Sequence, residues 1–508
     1  MQHLAEKPAP AGTVTLGPAL LDQASERLLG FVDRVHGGTR GAPKFPQASL
    51  LGFLWRAGDR TDNPAFREAM LTTLRNVAQG GIYDHLGGGF ARYSVDDRWL
   101  VPHFEKMLYD NAQLITLMTQ AFIATGDRLF SRRVAETIAW LDREMTAPSG
   151  AFAASIDADS EGVEGKFYVW QRDEVDVTLG DDSAFFCDVY DVQPGGNWEG
   201  VSILNRLNSM ALRSAKDEDR LAMARKRLLA RRGSRVRPAT DDKILADWNG
   251  LTISALAFAA ATFKRPEWLA MAKNAFQFVV GPMSQDGRLA HAWRDDKFVF
   301  PGLATDYANM IAAALALHDT TLDKSYVTDA ERLTGLVRVH HWNASDPGYY
   351  LPADDAEALI VRPLSINDDA TPAANSVMIE NLVRLWHLTG KQEYRDDADA
   401  VLEASAPAIA ANLFATTGTM SGLDFRLNAI DVVVIAKDAP AAEPIVDVVR
   451  RKWTPNIVLS VHQDTTTLPT NHPVSGKTAV DGIPTAYVCR GQTCSLPVTE
   501  VDALDALL

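Results

Sequence analysis

Four apolar helical segments, each ending in a short turn and followed by a more amphipathic helix, constrain this chain more than any other feature. They run from Asp110 to Thr125, Asp247 to Thr262, Asp306 to His318 and Asn375 to Thr389. The first repeats Leu114, Leu117, Met118, Ala121 and Phe122 at helical spacing, and the second, DWNGLTISALAFAAAT, is apolar nearly all round. Helices of this kind are buried on several sides. The turns repeat as well: Thr125-Gly126-Asp127 leads to Phe130 and Thr389-Gly390-Lys391 to Tyr394, with looser versions from Thr262 to Trp268 and from Thr321 to Tyr326. Gly390 suits the left-handed position that follows a helix C-terminus, and the aromatic after each turn starts the packing of the next helix. Downstream segments such as FSRRVAETIAWLDREM set Val134, Ile138, Leu141 and Met145 on one stripe, which fits an outer layer.

Alternating inner and outer helices predict a mainly α architecture, an (α/α)6 six-hairpin barrel. Outer helices are expected near residues 20–36, 64–79, 128–145, 266–281, 325–341 and 392–413. The long loops that precede the inner helices, from Gly150, Asp286 and Asp346, alternate glycine, aromatic and apolar residues and read as β-hairpins at the barrel mouth. From about Ile430 the pattern changes. AIDVVVIAKD and NIVLSVH read as strands flanking a helix, and TAYVCRG as a third strand, which predicts a small C-terminal α/β segment. The expected organisation is a tail over 1–19, the barrel over 20–428 and the α/β segment over 429–508.

Across 508 residues, 50 basic side chains face 65 acidic ones, a formal charge of -15 that argues against nucleic acid and anionic membrane as general partners. The basic run from Arg225 to Arg237 reads as a solvated helix face, with an anion-binding element as the competing reading. No apolar run reaches the ~18 residues of a membrane span, and MQHLAEKPAP lacks a signal-peptide core, so the expected location is cytoplasmic. Of the three cysteines, Cys187 stands alone, while Cys489 and Cys494 form C-x4-C, too sparse for a four-ligand zinc site and unlike C-x-x-C. A structural role is expected for them, with no metal, no cofactor and no dithiol chemistry.

Chemistry concentrates between Gly80 and Leu114, where His85, Arg92, Asp96, Asp97, His103, Glu105, Lys106 and Asp110 lie among glycines and aromatics just before an apolar helix. So many charged groups need partners or a ligand if they are buried. Inner-helix N-termini meeting at one mouth would favour an anionic or polyhydroxyl ligand. A hydrolase needs two carboxyl groups flanking a bond, and the candidates are Glu105, Asp110, Asp159, Asp247, Asp306, Asp368 and Asp369. An epimerase or isomerase needs a base and an acid beside a carbonyl, for which His85, His103 and His291 with Arg92 are the candidates. The expected catalytic set is His103, Glu105, Asp110, Asp247, Asp368 and Asp369, with His85, Arg92, Trp99, Trp248, Asp306 and Asn375 binding substrate. His103 and Asp110, seven residues apart, would share a face if the helix already begins near Pro102. Each residue has a plainer reading: an Asp at a helix start is commonly an N-cap, and a Trp is commonly core.

The runs KFPQASLL from Lys44, PHFEKMLYDNAQL from Pro102, DADSEGVEGKFYVW from Asp157, GNWEGVSIL from Gly196, RVRPATDDKILADWNGL from Arg235, GLATDYANM from Gly302, DDATPAANSVMIENL from Asp368 and AYVCRGQTC from Ala486 also carry a resemblance. In that order, from about Leu20 onward, the chain resembles the spermatogenesis-associated, thioredoxin-domain-containing protein family, including its bacterial YyaL-type members. The resemblance implies a six-hairpin barrel similar to N-acylglucosamine 2-epimerases and six-hairpin glycosidases, preceded in family members by a thioredoxin-like domain. Nothing before Lys44 resembles that domain, so no redox role is carried over. PAANS from Pro372 also departs from the family's PSGNS-like run. The expected function is a carbohydrate-active barrel acting on or binding a small sugar or sugar derivative, epimerase-like or glycosidase-like. The alternative is a non-catalytic module working with a thioredoxin-like domain on another chain.

Overall fold

A computed structural model describes residues 14–357, 360–465, 468, 472, 474–491 and 493–508. Six helices form a closed inner ring: Ala48–Thr61, Leu108–Thr125, Ala246–Phe263, Ala304–Thr321, Ala374–Thr389 and Thr417–Asn428, each packed on the next and the last on the first. Six more wrap them: Pro18–Leu29, Pro64–Gln79, Arg128–Trp140, Pro266–Val280, Ser325–His341 and Gln392–Ala411. Five outer helices directly follow their inner partner. The sixth position is closed by the chain ends, since Pro18–Leu29 packs against both Ala48–Thr61 and Thr417–Asn428. This is the (α/α)6 barrel, and the four apolar segments lie in its inner ring.

Small residues set how tightly the inner ring closes. A Cβ on Gly250 would meet the backbone carbon of Asn309 at 2.6 Å, so the two neighbouring helices approach as closely as backbone permits. The turns behave as their composition predicts: Gly126 and Gly390 sit at φ 67° and 71° and donate their N–H to Phe122 and Trp386.

Three further helices, Arg172–Leu179, Ser183–Tyr190 and Ala215–Arg232, build a lobe with its own core of Val175, Phe186, Tyr190, Leu221 and Leu228. This lobe corrects the reading of the basic run. Arg225 and Arg232 are buried, the latter clamping Asp84 with two 2.8 Å bonds and the former 3.2 Å from Glu136. Only part of the run is a solvated face, because these arginines tie the lobe to the barrel.

The mouth is belted by short antiparallel strands. Lys106–Met107 pairs with Ser155–Ile156, which pairs with Thr240–Asp241, and Ile244–Leu245 pairs with the hairpin Ala292–Arg294/Lys297–Val299. At the opposite end, strand Ile430–Ile435 is central in a four-stranded sheet, parallel to Ile457–His462 and antiparallel to Thr485–Arg490. Helix Ala439–Arg451 makes the crossover. This segment closes the floor of the barrel: Trp453 packs against Phe258, tilted at 43° with centroids 4.4 Å apart, Arg384 donates to the Ile457 carbonyl, and Arg56 bonds Asn456. Cys489 and Cys494 are joined across the terminal hairpin, and Cys187 is buried and free. No described helix is long and apolar enough to cross a membrane.

Candidate functional site

A repeated asparagine device fixes the mouth. Asn111, Asn249 and Asn375, all near inner-helix starts, each clamp both backbone groups of one aromatic residue in the loop opposite. The Oδ1 atoms accept from the N–H of Phe90 at 2.7 Å, Phe152 at 2.9 Å and Tyr349 at 2.8 Å. The Nδ2 atoms return a bond of 3.0 Å to the same three carbonyls. Each Nδ2 also donates to a nearby carbonyl, that of Met107, Leu245 or Ser365. A buried carboxamide so occupied holds a loop and is not free for a ligand. Asn375 is therefore a scaffold residue, which corrects its expected binding role.

Held by these clamps, the mouth opens into a cavity of about 310 Å³ lined by Arg92, Tyr109, Asp110, Gln113, Asp368 and Asp369 among others. Asp110 is 8% exposed, and its Oδ2 has no hydrogen-bond partner among the described residues. Burial pushes its pKa well above the usual carboxylate range, Arg92 opposes this, and Glu105 adds to it. The neutral form of Asp110 is thereby favoured, and its unpartnered oxygen is itself buried in the cavity wall.

Tyr109 leads to the second group, because its ring meets Trp248 edge-on with centroids 4.7 Å apart. Next to Trp248, Asp247 is lifted to about 7 by burial and by the Asp306 charge, against the pull of His291. His291 Nδ1 lies 3.1 Å from Asp306 Oδ2 and 3.2 Å from Oδ1, and that hydrogen bond raises the imidazole to about 9. Asp306, fully buried, also accepts from the backbone N–H of Asp247 at 3.0 Å and of Leu303 at 2.6 Å. It anchors His291 and the start of the Asp247 helix. Asp247, His291 and Asp306 present ligand atoms within 4.8 Å of one another, as do His340, Asp354 and Asp355 near the surface, so each trio has the donor set for a divalent cation.

Other expected residues lie elsewhere. Asp368 accepts from the backbone of Ala373 at 3.0 Å and Gly418 at 2.6 Å and from the hydroxyls of Ser376 and Thr417, tying two inner-helix N-termini together. A Cβ on Gly418 would sit 2.8 Å from that carboxylate, so the bond depends on glycine. Asp368 borders the cavity as a cap, whereas Asp369 is exposed at its rim. His103 does not share a helix face with Asp110, because the helix begins at Leu108 and Pro102–His103 is a strand paired with Tyr93–Ser94. His103 stacks on Tyr93 and binds Glu164 at 2.7 Å, and Glu105 lies 3.5 Å from Arg92. His85 is buried away from the mouth, bonded to the Gly80 carbonyl, and burial with Arg133 nearby drives its pKa well below the ordinary value. Trp99 is fully buried and donates to the His36 carbonyl. Neither can stack on or titrate against a ligand at the mouth.

No family model matches the chain. It is 30% identical over 535 residues to human spermatogenesis-associated protein 20, covering 94% of this chain and 67% of that one. The fold is similar to a D-mannose isomerase at 11% identity with a TM-score of 0.51, covering 79% of this chain and 88% of that one. It is also similar to cellobiose 2-epimerase from Spirochaeta thermophila, at 15% identity, TM-score 0.45 and coverage of 76% and 85%. On the identity and coverage shared with the human protein, the chain belongs to the spermatogenesis-associated protein 20 family.

Proposed function

We propose that this barrel acts on a small sugar or sugar derivative by proton transfer, with Asp110 and Asp247 as the acid–base pair. The observation that carries the reading is the state of these two carboxyl groups. They stand at the starts of adjacent inner helices, bridged by the Tyr109–Trp248 contact; burial favours the neutral form of one, whose Oδ2 has no partner among the described residues, and the other is poised at about 7. A group titrating near the working pH can both give and take a proton, which suits Asp247 to general acid–base work. Asp110 would donate its proton, or a hydrogen bond, to a carbonyl or glycosidic oxygen. Arg92 on the same wall would offset negative charge developing there, and Tyr109, backed edge-on by Trp248, would offer flat apolar surface to the C–H face of a sugar ring.

A carboxyl mechanism is preferred to a histidine pair because the one histidine of this cluster, His291, is committed to Asp306. The D-mannose isomerase likeness supports a sugar as ligand through the shared fold. The test is a screen of reducing mono- and disaccharides in D2O, following deuterium incorporation beside the carbonyl by NMR, run in parallel with nitrophenyl glycosides. Exchange or hydrolysis lost in both Asp110→Asn and Asp247→Asn is the expected result. Activity that survives both substitutions would remove the pair from the mechanism. If no sugar exchanges, hydrolyses or raises the melting temperature, the reading fails.

A further inference from the structure

Below the mouth the barrel lumen stays open. A cavity of about 330 Å³ shares Ser49 and Gln113 with the mouth cavity, and a second of about 220 Å³ shares Thr116, Ser254 and Ala312 with the first. Below the mouth, both lumen cavities reach the C-terminal segment, whose Trp453 and Pro455 border the first and whose Trp453 and Leu459 border the second, forming the floor.

Charges inside this space are matched. Arg56 holds Glu380 at 3.0 Å, Arg384 holds Asp319 at 3.0 Å, and Arg450 holds Glu443 at 2.8 Å. A charged ligand would have to break one of these pairs to find a counter-charge, at the cost of a desolvated partner. Gln120 borders the middle cavity, but its Nε2, without a partner among the described residues, is itself buried and not presented to that space. Much of the remaining wall is apolar, with Leu117, Leu251, Leu315 and Phe258 along it. The mouth above is the more polar end, with Arg92, Asp110 and Asp369 on its wall.

From this gradient we infer that the barrel takes an uncharged, elongated amphiphile of the alkyl or aryl glycoside class, its polar head at the mouth and its apolar tail down the lumen. The identity of the head rests on the sugar reading above; the tail site rests on the lumen alone. An apolar tail entering such a space binds in proportion to the surface it buries, about fourfold tighter per methylene.

Calorimetric titration of the full chain with two series, 1-propanol to 1-hexanol and methyl to hexyl β-D-glucopyranoside, tests this. The expected result is an affinity that rises by about fourfold per methylene in both series. Each glycoside should also bind more tightly than its alcohol. Ala312→Phe and Ser254→Leu fill the lumen from different helices; whichever keeps the wild-type melting curve should flatten the chain-length dependence. No length dependence in the wild type, or an unchanged one in a folded filled variant, overturns the lumen site. Methyl glucoside binding without a length dependence would leave the sugar reading standing and remove the tail. A length dependence with no gain from the sugar would leave an apolar lumen site and remove the glycoside class together with the sugar reading.

Discussion

Asp110, Asp247 and His291 place the chemistry at the scale of single protons. Asp110→Asn keeps the shape of a carboxyl group that burial favours in its neutral form and that makes no salt bridge among the described residues, so apo stability should change by less than about 1 kcal/mol. Ligand-induced stabilisation should vanish all the same, and any turnover should fall by about a hundredfold or more. Parallel melting curves with and without sugar check both halves, and a large apo loss would make the residue structural. Asp247 and His291 titrate with the same sign in successive pH windows. Raised to about 7, Asp247 keeps a proton in the native state that the unfolded chain releases near 3.8, so its contribution to stability falls as pH rises across that window and is level above it. Asp247→Asn should therefore gain on the wild type from pH 4 to 7, reaching on the order of 1–2 kcal/mol at pH 8 after allowing for partial exposure. His291, raised from 6.5 to about 9, contributes stability in full below pH 6.5 and loses it as pH passes through about 9. His291→Gln should flatten that alkaline limb. Melting temperatures of the three proteins between pH 4 and 10 decide it, and a wild-type curve level from pH 6.5 to 9.5 would contradict the His291–Asp306 pairing.

At the scale of elements, the asparagine clamps explain why the mouth keeps its shape, and nothing in the sequence marked Asn111, Asn249 or Asn375 for that role. The inner helices announce themselves by apolar runs ending in Thr-Gly turns, and those four fell where the pattern put them. Ala48–Thr61 and Thr417–Asn428 escaped because their sequences carry Arg56, Arg60, Asp424 and Arg426, which look like solvent-facing residues. Arg60 is in fact paired with buried Asp424 between these two neighbours of the ring, and Arg56 with Glu380. Pairwise burial of charge is invisible to a hydropathy pattern, since it depends on which helices become neighbours. The same limit hid the lobe of residues 172–232, whose arginines face Asp84 and Glu136. At the site, Asp110 and Asp247 could be picked as helix-start carboxyls, but nothing local distinguished them from Asp368, which spends its lone pairs on two helix N-termini. Nor could the spacing from His103 to Asp110 reveal that a strand ends before Leu108. Replacing Asn111, Asn249 or Asn375 by Ala strands a buried N–H and C=O of the facing loop, so each should cost about 2–4 kcal/mol in urea unfolding. Costs near zero would mean that water replaces the clamp.

For the whole molecule, the question is whether barrel and C-terminal segment are one cooperative unit. The segment contributes the floor of the lumen, and its contacts with the barrel are mostly buried or half-buried: Asn456 bonds both Arg56 and Asp424, His387 holds Asp431 at 2.9 Å, and Arg450 donates to the Thr320 carbonyl at 2.8 Å. Releasing the segment would uncover Phe258 and strip Arg384 of one acceptor, leaving a charged guanidinium beside apolar wall. Such coupling predicts a single calorimetric transition for the chain, despite the segment's own sheet and core. Asn456→Ala combined with Asp431→Ala removes two ties without touching the segment's apolar core. That variant should split the transition, with the smaller, earlier step belonging to the segment, and sugar added at the mouth should raise only the later step. Two transitions already present in the wild type would mean that the floor opens independently of the barrel, and access to the lumen would then be set from below as well as from the mouth.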